Sequence, residues 1–176
     1  MRPLLCAAVV LASGLVVGIF APLGAASATA PGDGCLVIQN GFVGNVSMVL
    51  TRGAVFGRML SGTITTEDTN QTDALPPPKV IGVATRTVLP DGRVRYKGDA
   101  IRFRTSGAVK IKITEATQVD LSVVGKGIAF LSAGTFNPPQ PNVYSADSAS
   151  FCGDNFLPLP ILPAKPVKVT ISSPDS

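Results

Sequence analysis

Val109-Lys110-Ile111-Lys112-Ile113-Thr114 decides the class of the fold. Every second residue is a β-branched hydrophobe, and the residues between are charged or polar. In an extended chain successive side chains leave on opposite faces, so this segment has one apolar face and one wet face. The pattern recurs outward in both directions. Val119, Leu121 and Val123 alternate with Asp120 and Ser122, and upstream Val46, Met48 and Leu50 alternate with Ser47 and Thr51. Near the C-terminus Val167, Val169 and Ile171 alternate with Lys168, Thr170 and Ser172. Cys35-Leu36-Val37-Ile38 and Ile128-Ala129-Phe130-Leu131 are apolar on both faces and are expected at the centre of the fold. Asn40-Gly41, Asp91-Gly92 and Ser106-Gly107 are hairpin or turn signals between the runs. No segment carries a capped 3.6-residue periodicity. The expectation is a single all-β domain, an antiparallel β-sandwich or flattened barrel of about ten strands.

The N-terminus has a different character. After Arg2 the chain carries no charge from Leu4 to Ala30, and the run closes on Ala26-Ser27-Ala28. A basic start, an apolar middle and a small-x-small exit describe a secretory signal peptide, here residues 1–28 with cleavage after Ala28. The competing reading is a retained anchor, because Leu4 to Phe20 is long for a signal core. Gly14, Gly18 and Pro22 interrupt that helix. The organisation expected is a signal peptide at 1–28, a short linker at 29–34 and a β-domain at 35–172, which includes a proline-rich segment at 157–166. Cleavage leaves 176 − 28 = 148 residues, enough for one core. The mature charge is 14 − 11 = +3, and only 15% of the chain is charged.

Cys35 and Cys152 remain after cleavage, 152 − 35 = 117 residues apart. In an oxidising compartment an even pair reads as a disulfide. An intermolecular bridge or two free thiols is the alternative. There is no C-x-x-C and hence no redox pair.

The chain has no histidine, which removes Ser-His-Asp and Cys-His catalysis and imidazole metal ligands. Two cysteines are too few for a zinc site. The stretch Glu67-Asp68-Thr69-Asn70-Gln71-Thr72-Asp73 is rich in oxygen ligands, but without the spacing of a calcium loop it reads as a polar loop. No cofactor, metal or catalytic residue is expected. The alternative is a small hydrolase of envelope polymer that works with two carboxylates alone.

One cluster does suggest a partner. Arg93, Arg95, Lys97, Arg102, Arg104, Lys110 and Lys112 fall within twenty residues with Asp99 as the sole acid. Alternation turns Val94, Tyr96, Ile101, Phe103, Val109, Ile111 and Ile113 inward and the basic side chains outward. If the three strands are neighbours, their outer faces merge into one positive patch. That patch would suit an anionic envelope polysaccharide. The alternative is a solvated face whose long side chains cover the sheet. Nucleic acid is not expected, because Tyr96 and Phe103 point inward and leave no stacking platform. Neither is stable membrane insertion after signal cleavage. The expected role is a non-catalytic binding or structural module of the envelope or extracellular space.

Three segments carry a resemblance. Arg52-Gly53-Ala54-Val55-Phe56-Gly57-Arg58 and Tyr96-Lys97-Gly98-Asp99-Ala100-Ile101-Arg102-Phe103-Arg104 resemble small secreted all-β proteins of bacteria. So does Leu121-Ser122-Val123-Val124-Gly125-Lys126-Gly127, followed by Leu131 and Gly134. The likeness spans roughly residues 36–136, and the tail from Asn137 departs from it. It implies export and a β fold, and no chemistry.

Overall fold

The computed structural model describes residues 30–70, 72, 76–134, 142–160 and 165–173, the side chain of Asn40 excepted. The signal segment 1–28, the Asn137 to Pro141 loop and most of Pro160 to Pro163 lie outside the described residues. Eight strands are present among the described residues: β1 (Gly34–Asp68), β2 (Lys79–Ile81), β3 (Thr85–Val88), β4 (Val94–Ser106), β5 (Val109–Ala133), β6 (Val143–Ser148), β7 (Leu157–Pro158) and β8 (Val167–Ile171). They form one antiparallel sheet that does not close. None of the described residues is helical, so no helix there is long and apolar enough to cross a membrane.

Two of the strands run far beyond the usual length, β1 for 35 residues and β5 for 25. Asn40-Gly41 is therefore a bend inside β1 and not a hairpin. Asp91-Gly92 does reverse the chain: the Gly92 amide donates to the Leu89 carbonyl at 3.0 Å between β3 and β4.

β1 and β5 wind about each other, each lying along both edges of the other. Val46 is opposite Ile113 on one side and Leu131 on the other. Residues 120–125 of β5 run between 34–38 and 53–58 of β1. The wound ribbon flattens into two layers. The first layer runs β6, 34–38, 120–125, 53–58, 101–106 and β2. The second runs β3, 94–99, 61–68, 109–113, 45–50, 127–131 and β8.

Along the rest of β1 the inward face changes parity twice. β1 buries Val46, Met48 and Leu50, then Val55 and Met59, then Ile64 and Thr66. The pairing register shifts at those two changes, between Leu50 and Arg52 and between Ser61 and Thr63. β5 turns its corner by placing Glu115 (φ 52°) and Gln118 (φ 49°) in the left-handed region, with Ala116 buried between them. Each such residue costs roughly 1 kcal/mol, which the burial of Ile113 and Val119 on either side offsets. β4 bends in the same way at Ala100 (φ 52°).

The core between the layers includes Leu36, Ile38, Phe42, Met48, Leu50, Ile111, Val123 and Leu131. Arg86 lies over the Tyr96 ring, 5.9 Å from its centroid, at the β3 edge. Cys35 and Cys152 are bridged with 5.8 Å between their α-carbons, which pins the start of β1 to the turn after β6. One expectation fails. Ile128 and Phe130 are 37% and 44% exposed, not central, because no further layer among the described residues covers the outside of this segment. Its inward residues Ala129 and Leu131 are buried as expected.

Candidate functional site: two basic faces

The seven basic residues do not form one patch. β4 divides them at Ala100. Its residues 94–99 run beside 61–66 in the second layer, and 101–106 run beside 54–59 in the first. Arg95 and Lys97 therefore leave on one outer surface, and Arg102 and Arg104 on the other. The segments 94–97 and 109–112 are not neighbours either, because β1 lies between them. The inward residues are as expected: Tyr96, Ile101, Phe103, Val109, Ile111 and Ile113 are buried and Val94 is partly so.

On the second layer, Thr65 stands opposite Arg95 on one side and Lys112 on the other. Thr63 stands opposite Lys97 and Thr114 in the same way. With strands roughly 4.8 Å apart, the Arg95 and Lys112 backbones are about 10 Å from each other. These side chains, with Arg93, Leu89 and Glu115, line an open cleft of about 410 Å³. Two of the basic residues are engaged at its margin. Lys110 pairs with Glu67 at 2.8 Å and Arg93 with Asp91 at 2.6 Å. The side-chain hydrogen bond from the Arg93 guanidinium holds the Asp91 carboxyl below its usual range, and Asp91 raises Arg93 in turn. Arg95, Lys97 and Lys112 belong to none of the ion pairs among the described residues.

On the first layer, Arg102 and Arg104 meet Arg58 and Lys79, which sequence reasoning passed over. Arg58 is opposite Arg102 and Asp120, and Arg104 is opposite Lys79 and Phe56. Arg58 and Asp120 form an ion pair at 2.6 Å. Phe56 is 54% exposed in this row. An open groove of about 610 Å³ crosses the face. Phe56 and Arg58 are neighbours on one face of β1, but nothing local joins them to Lys79, Arg102 and Arg104, which come from other parts of the chain.

Each depression contains one carboxylate, Glu115 in the cleft and Asp120 in the groove. The facing pair required by the hydrolase alternative is formed in neither. Among the described residues no three Cys, Asp or Glu side chains gather where a metal ion could be held. The arrangement is suited to holding anions: guanidinium and ammonium groups supply charge-assisted hydrogen bonds, and the threonine hydroxyls supply neutral ones. No protein-family model, curated protein or solved structure matches this chain.

Proposed function

We propose that the chain is an exported, non-catalytic binding module of the cell envelope or extracellular space that holds an anionic polymer, such as an acidic polysaccharide, on the outer face of its second layer. The observation that carries this reading is the set Arg95, Lys97 and Lys112, which surround Thr63 and Thr65 and join none of the ion pairs among the described residues. Like charges brought close on a sheet cost stability, and a bound polyanion offsets that cost. Nucleic acid is disfavoured here because Tyr96 is buried and no ring stands among these cations. Export is supported by the Cys35–Cys152 bridge, which suits a non-reducing compartment, and by the uncharged run that ends at Ala28.

Chromatography on immobilised polygalacturonate tests the ligand class. Wild type is retained at low salt and released as screening increases. The triple variant Arg95→Ser, Lys97→Ser, Lys112→Ser elutes at distinctly lower salt. Equal elution of the two proteins overturns the reading. N-terminal sequencing of exported material tests the compartment and should begin at Thr29. Recovery of the Met1 form from washed membranes would contradict it.

A further inference from the structure

We propose that the first-layer groove is a second, independent site for acidic polysaccharide, so that the module bridges two polymer chains. The ligand class rests on the reading above, whereas the residues and the geometry are different.

The charge balance of the groove is the first argument. Arg102, Arg104 and Lys79 take part in no ion pair among the described residues. The one carboxylate that lines the groove, Asp120, is already engaged by Arg58. Arg104 faces Lys79 across one strand gap and Arg58 faces Arg102 across another. Cross-strand like-charge pairs are unfavourable unless an anion lies over them. The groove therefore presents, in two adjacent rows, three cations outside the ion pairs of the described residues.

The second argument is Phe56. Its ring is 54% exposed in the row that contains Arg104 and Lys79. A pyranose can lay its C–H face on that ring while its carboxylate reaches Arg104. An aromatic platform with a guanidinium beside it suits an acidic sugar better than it suits a bare inorganic anion.

Shape and position complete the case. The groove crosses five strand segments, 37–39, 120–122, 56–58, 102–104 and 79–81, a span of about 20 Å at strand spacing. An open depression of that length across the strands has room for a linear chain. No residue lines both this groove and the second-layer cleft. The two lie on outer faces with the core between them, so one stretch of polymer cannot fill both without passing round an edge. Two occupied faces mean two chains held by one protein.

Mixing with soluble polygalacturonate at low salt tests this by light scattering, over a range of protein-to-polymer ratios. Wild type should raise the scattering to a maximum at intermediate ratio, as cross-linking requires. Arg95→Ser/Lys97→Ser/Lys112→Ser and Phe56→Ser/Arg102→Ser/Arg104→Ser should each still co-sediment with the polymer but lose the scattering maximum. Circular dichroism and melting establish that each triple variant is folded. Phe56→Leu with both arginines kept serves as a milder probe, expected to lower the maximum without abolishing co-sedimentation. Undiminished scattering by the Phe56/Arg102/Arg104 variant overturns the second site. So does complete loss of polymer binding by the Arg95/Lys97/Lys112 variant, which would leave the proposed function intact with a single face. Failure of wild type to bind polygalacturonate at all would remove both proposals.

Discussion

Gly53 and Gly125 are paired across β1 and β5 so tightly that neither position has room for a β-carbon. A Cβ on Gly53 would stand 2.3 Å from the Val124 carbonyl oxygen, and one on Gly125 would stand 2.3 Å from that of Arg52. Both glycines also hold positive φ, 142° and 148°. This contact is the corner at which the wound ribbon passes from one layer to the other. Gly53→Ala and Gly125→Ala should each destabilise the fold by about 3 kcal/mol, from backbone clash together with left-handed strain. Urea unfolding midpoints measure it, and unchanged midpoints would contradict the corner.

Val43 lies at the opposite corner and is held by a side chain. The Val43 amide donates to Asn142 Oδ1 at 3.0 Å, and Asn142 Nδ2 donates to the Val43 carbonyl at 2.8 Å. Asn142 is buried, and the Val43 amide depends on it, whereas the Val43 carbonyl also accepts from the Gly134 amide at 3.0 Å. Asn142→Ala should cost about 2 kcal/mol, chiefly by leaving the Val43 amide without its acceptor. Asn142→Asp should cost at least as much, because it turns a carboxylate oxygen toward the Val43 carbonyl. A neutral Asn142→Asp would refute the pairing.

The segment 128–131 separates burial from hydrophobicity. Leu131→Ala should destabilise by about 3 kcal/mol, because the side chain is fully enclosed. Phe130→Ser, one residue away on the outer face, should change stability by less than about 1 kcal/mol. Equal losses would mean that a covering element encloses Phe130 in solution.

The disulfide closes a span of 117 residues. Cys152→Ala should remove up to about 5 kcal/mol under oxidising conditions by releasing the unfolded chain. Under reducing conditions wild type and variant should melt within a degree or so of each other. A large difference that persists in reductant would show that Cys152 contributes through packing.

The Asp91–Arg93 pair gives a pH dependence with a definite sign. In the folded state the Asp91 carboxyl is held below the usual carboxylate range, chiefly by the hydrogen bond from the Arg93 side chain. A depressed carboxyl stabilises the folded turn above the unfolded pKa, and that contribution is lost as pH falls through the folded value. The pair should therefore stay intact well into acid. In a carbon-detected NMR titration the Asp91 carboxyl midpoint should rise in Arg93→Gln. An unmoved midpoint would dissociate the two residues.

Local chemistry made much of this protein readable in advance. Strand alternation depends only on the two-residue repeat of an extended chain, so Val109, Ile111 and Ile113 could be turned inward and Lys110 and Lys112 outward before any neighbour was known. The cysteine pair could be read in the same way, from count and compartment. Strand adjacency is not local. Val46 contacts both Ile113 and Leu131, 131 − 113 = 18 residues apart on one strand, because β5 returns after a full turn of the ribbon. A signal for that winding was present in Gly44, Gly53 and Gly62, spaced by 53 − 44 = 62 − 53 = 9 residues, all with positive φ. It reads as a corner repeat only once the layers are seen. The bend at Ala100 likewise separates Arg95 from Arg102, seven positions along one apparently uniform basic stretch (102 − 95 = 7). The sequence therefore determined which side chains face water, through periodicity. Only the tertiary structure decided which of them share a face, because that depends on where each long strand crosses between layers.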